Sequence, residues 1–147
     1  MKFLTTIFFL FAAFSGFGQS KSIDVKLLST KKTTADTYVG TDSFGNHYTT
    51  KDQAFRKESA TNPFNYKNIA LGKIESVDLQ NPLQIVLFYK QMNAVVLLDN
   101  QLNETIKINF SETNPELFPV FVRLASQNRL WLYDQNSQKL GLYDYVK

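Results

Sequence analysis

An all-β chain built of repeated antiparallel units is predicted by three features of this sequence. Two adjacent apolar runs, Ile85-Val86-Leu87-Phe88-Tyr89 and Ala94-Val95-Val96-Leu97-Leu98, are five residues long and rich in β-branched and aromatic types. That length suits strands and is short for helices, and their unbroken hydrophobicity predicts cover on both faces. The next run, Glu104 to Phe110, alternates: Ile106, Ile108 and Phe110 share one face, with Thr105, Lys107 and Asn109 on the other. It reads as an outer, half-exposed strand. Finally, a segment of the form Asn, strand, Asp recurs as Asn46 to Asp52, Asn93 to Asp99 and Asn128 to Asp134.

The repeat starts lie 47 residues (46 to 93) and 35 residues (93 to 128) apart. Those offsets lie near the roughly 40 to 50 residues of a propeller blade. The fold class expected is therefore all-β, a partial β-propeller of about two to three antiparallel blade-like repeats, with a small β-sandwich as the alternative.

Taken in order, residues 1–18 read as a Sec-type signal peptide. Lys2 gives the positive start, Phe3 to Phe14 the apolar stretch, and Gly16-Phe17-Gly18 the small residues of a cleavage site before Gln19. The stretch is too short to span a membrane comfortably, and no second one follows. The chain has no cysteine, which excludes a lipoprotein anchor and disulfides. A periplasmic or secreted location follows, with residues 19–147 as one repeat domain held by its core.

Ser22 to Leu28 alternates Ile23, Val25 and Leu27 against Asp24 and Lys26 and predicts a first strand. Ser29 to Asp36 is a polar link, Tyr38-Val39-Gly40 opens the first repeat, and Asp42 to Asn46 is a tight turn. Asp52 to Asn68 is polar, broken at Asn62-Pro63, and reads as a long surface connection. Lys73 to Leu79 predicts an edge-like strand. Ser111 to Pro119, with two prolines, is a crossing between blades. Val120 to Ser126, Arg129 to Asp134 and Lys139 to Val146 predict three further strands. A closed propeller needs roughly four to eight blades, so the expectation is a member truncated at its C-terminus.

Within Ile74 to Asp144 stand a Val-Asp-x-x-Asn-Pro turn at Val77 to Pro82, the strand Leu87-Phe88-Tyr89-Lys90 and the corner Leu97-Leu98-Asp99-Asn100. With these motifs, about half of the chain resembles the amino-terminal part of uncharacterised exported β-propeller-like proteins of Gram-negative bacteria. The resemblance implies the fold and export. It carries over no catalytic residue, and the later blades are missing.

The chemistry available is limited. The formal net charge of +3 is mild and its lysines and arginines are scattered, which argues against nucleic acid. His47 is the only histidine, so neither a Cys/His metal site nor a catalytic triad is signalled, and no cofactor motif is present. Asp52, Asp99 and Asp134 recur at one repeat position. They either cap hairpins or form a ring of carboxylates for a cation or sugar. Trp131, Tyr133, Tyr143 and Tyr145 either fill the core or stack on carbohydrate at a propeller mouth. The function expected is a non-enzymatic module that binds a protein partner as an envelope scaffold. A carbohydrate- or small-ligand-binding propeller using Asp52, Asp99, Asp134, Trp131 and Tyr133 is the second reading.

Overall fold

Every residue of the two central runs is buried, and that fact dictates the architecture. In the computed structural model, which describes residues 22–59 and 61–146, these runs are strands β6 (Ile85–Tyr89) and β7 (Ala94–Leu98). Side chains alternate across a strand, so two wholly apolar strands need apolar cover above and below. Ile85, Leu87, Tyr89, Ala94, Val96 and Leu98 face one core, with Tyr48 and Phe55. Val86, Phe88, Val95 and Leu97 face another, with Val122, Leu130 and Leu132.

The cover comes from two flanking sheets. The first sheet is a meander of β1 (Thr37–Thr41), β2 (His47–Lys51), β3 (Ala54–Glu58) and β4 (Pro63–Tyr66). The second contains β5 (Ser76–Asp78), β6, β7 and β8 (Glu104–Asn109) in that order. The third contains β9 (Pro119–Ala125), β10 (Arg129–Asp134) and β11 (Lys139–Asp144), and a short helix α1 (Phe110–Thr113) leads towards it. All strand pairs are antiparallel, and none of the three sheets closes on itself. The all-β prediction holds. The strands all lie within the unit Thr33–Lys147. The signal-peptide reading falls on residues outside those described.

First strands lie along a common edge. A Cβ placed on Gly40 of β1 would come within 3.2 Å of Leu79 just beyond β5. On the other side, Arg123 of β9 donates from Nη1 to the Val77 carbonyl of β5 at 2.8 Å. The buried Asp78 carboxylate accepts the Leu124 N–H at 2.8 Å, which fixes β9 against the second sheet.

Two expectations are corrected. Asp52 to Asn68 is not a surface connection but holds β3 and β4. Phe55, Phe64 and Tyr66 cover the second sheet, while Lys57, although buried, disguises the apolar pattern. Its ammonium leaves through Nζ to the Asn100 carbonyl at 2.7 Å and sits 5.8 Å from the rings of both Tyr48 and Phe64. Pro63 opens β4, an edge strand, where a missing N–H does no harm. Conversely, Ser22 to Leu28 is no strand here: residues 22–32 adopt no regular structure and are exposed. An alternating pattern supplies a strand's faces but not the neighbour whose backbone it must bond.

Among the described residues, one buried side-chain group stands unpaired. Tyr89 is 0% exposed and its hydroxyl has no hydrogen-bond partner, although Tyr66 beside it donates to Glu104. Burial, chiefly, pushes the Tyr89 phenol far above its ordinary range, with the charges of Tyr66 and Glu104 adding to it. An unpaired buried hydroxyl costs about 1–3 kcal/mol. Tyr89→Phe should therefore leave stability unchanged or raise it in urea denaturation, whereas Leu97→Ala should cost about 2–5 kcal/mol by opening a cavity.

Candidate functional site

Three loops repeat one piece of chemistry, in which an aspartate at the end of a strand holds the loop that follows. Asp42 accepts from the N–H groups of Phe44 and Asn46 through Oδ1, and from Asn46 Nδ2 and the Tyr48 hydroxyl through Oδ2, all at 2.9 Å. Asp99 does the same, with Oδ1 accepting from the Gln101 and Asn103 N–H groups at 2.8 Å and Oδ2 from Asn103 Nδ2 at 2.9 Å. Asp134 accepts from the Phe118 and Ser137 N–H groups, each at 2.7 Å.

Hydrogen bonds to a carboxylate favour its charged form. At Asp42 and Asp99 desolvation opposes ionisation, but the donors outweigh it and hold both carboxyls below the usual range; Lys57 assists at Asp99. At Asp134 the Ser137 hydroxyl and N–H, then the Phe118 N–H, bring the value down to about 2. These are structural carboxylates whose oxygens are already engaged.

Asp52 belongs to a different device. It and Gln53 have φ of 51° and 64°, the positive values of a two-residue hairpin turn, and its N–H donates to Asp36 Oδ2 at 2.8 Å. The true counterpart of Asp99 is Asp42, through the shared Asp-x-x-x-Asn spacing. That echo is visible in the sequence, and it belongs to the loops, not to the strands that precede them.

Of the two readings of Asp52, Asp99 and Asp134, the ring of carboxylates is not formed. Lys57, near the far end of β3 from Asp52, reaches Asn100, so the Asp99 loop lies at the opposite end of the first sheet from Asp52. Asp78 pairs with Val86 next to the Ile85 and Leu98 pair, and it binds Leu124, which places the Asp99 end of the second sheet beside the Leu124 end of β9. Asp134 pairs with Pro119, at the other end of β9. Among the described residues no cluster of three or more His, Asp or Glu could hold a metal ion.

The aromatic residues divide by strand parity. Leu130 and Leu132 of β10 point into the core, and Tyr143 and Tyr145 pack there too, with Tyr143 edge-on to Phe110 at 5.2 Å. Trp131 and Tyr133 face the other way and are 40% and 39% exposed. Cross-strand pairing sets Arg123, Trp131 and Leu142 in one row and Phe121, Tyr133 and Leu140 in the next. The third sheet thus presents an open apolar and aromatic face, with the Arg123 guanidinium 5.2 Å from the Phe121 ring.

Comparison with known protein families, curated proteins and solved structures finds no match.

The far side of the first sheet is chemically opposite. The same pairing logic places Tyr38, Thr41, His47, Arg56, Glu58 and Asn65 on it, with His47 Nδ1 2.9 Å from Thr41 Oγ1. Beside it, between β1 and the approach to β5, an open groove of about 660 Å³ is lined by Asp36, Tyr38, Asp52, Lys73 and Glu75 among others. No helix among the described residues is long and apolar enough to cross a membrane.

Depressed aspartate pKa values contribute stability that is present above the ordinary carboxylate value of about 3.9 and lost as pH falls through the folded value. The urea midpoint should therefore fall from about pH 4 towards pH 2, and Asp134→Asn should flatten that fall. Asp42→Ala, which strands the buried Tyr48 hydroxyl and two loop N–H groups, should cost about 1–3 kcal/mol, and Asp52→Asn, which keeps a side chain tolerated at positive φ, under about 0.5 kcal/mol.

Proposed function

We propose that this chain is an exported, non-enzymatic binding module with a partial-propeller arrangement of sheets, and that it acts as a protein-interaction scaffold in the cell envelope or outside the cell. The observation that carries the reading is the open face of the third sheet, where Phe121, Trp131, Tyr133, Leu140 and Leu142 are between 39% and 61% exposed. Contiguous exposed apolar surface on that scale is characteristic of interaction sites, and tryptophan and tyrosine are the residues such sites favour.

The partner favoured is an antiparallel sheet with a branched-aliphatic face. Within the molecule, the opposite face of the same third sheet is covered by Val86, Val95, Leu97 and Ile108, a surface of that kind. Export is supported by the pattern of residues 1–18, and the non-enzymatic reading by loop carboxylates that spend their lone pairs on backbone N–H groups.

A second reading, carbohydrate binding, is favoured by the groove between β1 and β5. Tyr38, 56% exposed, could stack on a sugar ring while Asp36, Asp52 and Glu75 accept its hydroxyls.

The test is affinity capture from an envelope extract. The native protein should retain a stoichiometric partner that Trp131→Asp with Tyr133→Asp loses and Asp52→Asn keeps. Equal retention by the face variant would overturn the scaffold reading. Calorimetry with envelope polysaccharides addresses the second reading: heat lost on Tyr38→Ala would favour it, and no heat with the native protein would remove it.

A further inference from the structure

In the first and second sheets a fourth strand lies beyond the third, whereas among the described residues the third sheet ends at β11, which pairs only with β10. The Tyr145 N–H bonds to the Asn128 carbonyl, in register with the ladder between β10 and β11. Backbone groups alternate along an antiparallel strand, so Tyr143, Gly141 and Lys139 aim theirs at β10. The N–H and C=O groups of Leu140 and Leu142 therefore point away from the sheet, along its edge. Such a row is a template for a further strand.

The side chains of this edge define the strand that fits it. Tyr143 packs in the core, and parity puts Gly141 and Lys139 on the same inner face. At Gly141 an added Cβ would meet nothing within 4 Å, and a groove of about 130 Å³ there is lined by Leu117, Leu132 and Tyr143 among others. A cavity of about 150 Å³ accepts a benzene ring, so this groove takes one large apolar side chain. The fourth strands of the other two sheets supply apolar side chains two residues apart, Phe64 and Tyr66 from β4 and Ile106 and Ile108 from β8. Lys139 makes a different demand. It is exposed, and its cross-strand neighbour Asp134 spends Oδ1 on the Phe118 N–H and Oδ2 on the Ser137 N–H. Among the described residues no carboxylate pairs with the Lys139 ammonium.

We infer that β11 is a docking edge for an extended strand of a partner protein with the pattern apolar, any, large apolar, any, acidic, added antiparallel. Antiparallel is the sense shared by the described strand pairs. In that register the first apolar residue lies opposite Tyr143, the second opposite Gly141 and over the groove, and the carboxylate opposite Lys139. The two intervening residues exchange backbone hydrogen bonds with Leu142 and Leu140. A second copy pairing through its own β11 does not meet these demands. Its inward residues are Lys139, Gly141, Tyr143 and Tyr145, so no register of β11 on itself brings a carboxylate to Lys139.

The test uses the full chain and the synthetic peptide acetyl-Thr-Val-Thr-Phe-Thr-Glu-Thr-amide. Fluorescence anisotropy of the labelled peptide should show saturable binding, and the amides of Leu140 and Leu142 should become protected from hydrogen exchange only when it is added. A peptide N-methylated at the two threonines flanking phenylalanine keeps every side chain but loses two donors, and should bind at least about tenfold more weakly. Replacing the peptide's glutamate by lysine should weaken binding to the native chain and strengthen binding to Lys139→Glu. No saturable binding up to millimolar peptide, equal binding of the N-methylated peptide, or a charge preference unchanged by Lys139→Glu would each overturn the inference. Protection of the Leu140 and Leu142 amides before peptide is added would do so too, because the edge would already be paired. Trp131→Asp with Tyr133→Asp leaves these edge groups in place, so the scaffold reading and this inference can fail separately.

Discussion

The second sheet must be covered on both faces, and the rest of the structure follows from that constraint. All ten strand positions of β6 and β7 are buried, and because strands alternate, neither face can meet water. Burying that surface is the dominant favourable term available to a chain without disulfides. The first sheet answers with Tyr48, Phe55, Phe64 and Tyr66, and the third with Val122, Leu130 and Leu132. Polar fastenings then fix the layers in register: Lys57 to the Asn100 carbonyl on one side, Asp78 to the Leu124 N–H on the other.

What was legible in the sequence is what depends on local pattern. The continuous runs announced doubly covered strands, and the alternation of Glu104 to Phe110 announced an outer one, with Ile108 buried and Lys107 exposed. The illegible parts depend on partners distant in sequence. Lys57 in the middle of β3 looks like a loop residue until Asn100 and two aromatic rings are brought to it. Ile23, Val25 and Leu27 look like a strand until no neighbour is found for them. The aspartates show the same limit: Asp52 matched Asp99 by its distance from an asparagine, yet only the loop that follows decides whether a carboxylate caps a five-residue turn or sits in a two-residue hairpin.

The proposed interaction surface follows from the same parity rule as the core. On β10, moving one residue exchanges Leu130 and Leu132, which are buried, for Trp131 and Tyr133, which are exposed. Composition placed the aromatic residues in the last repeat but could not say which face they take. The stack consequently ends in two unlike surfaces, polar beyond the first sheet and aromatic beyond the third.

The most direct test of the doubly covered central sheet is native-state hydrogen exchange. The backbone amides of β6 and β7 that bond across their ladder should exchange last, with an opening free energy equal to that of global unfolding, while amides of the first sheet open earlier. If the amides of β6 and β7 exchanged as fast as those of β1 and β2, the second sheet would not be the element on which the fold depends.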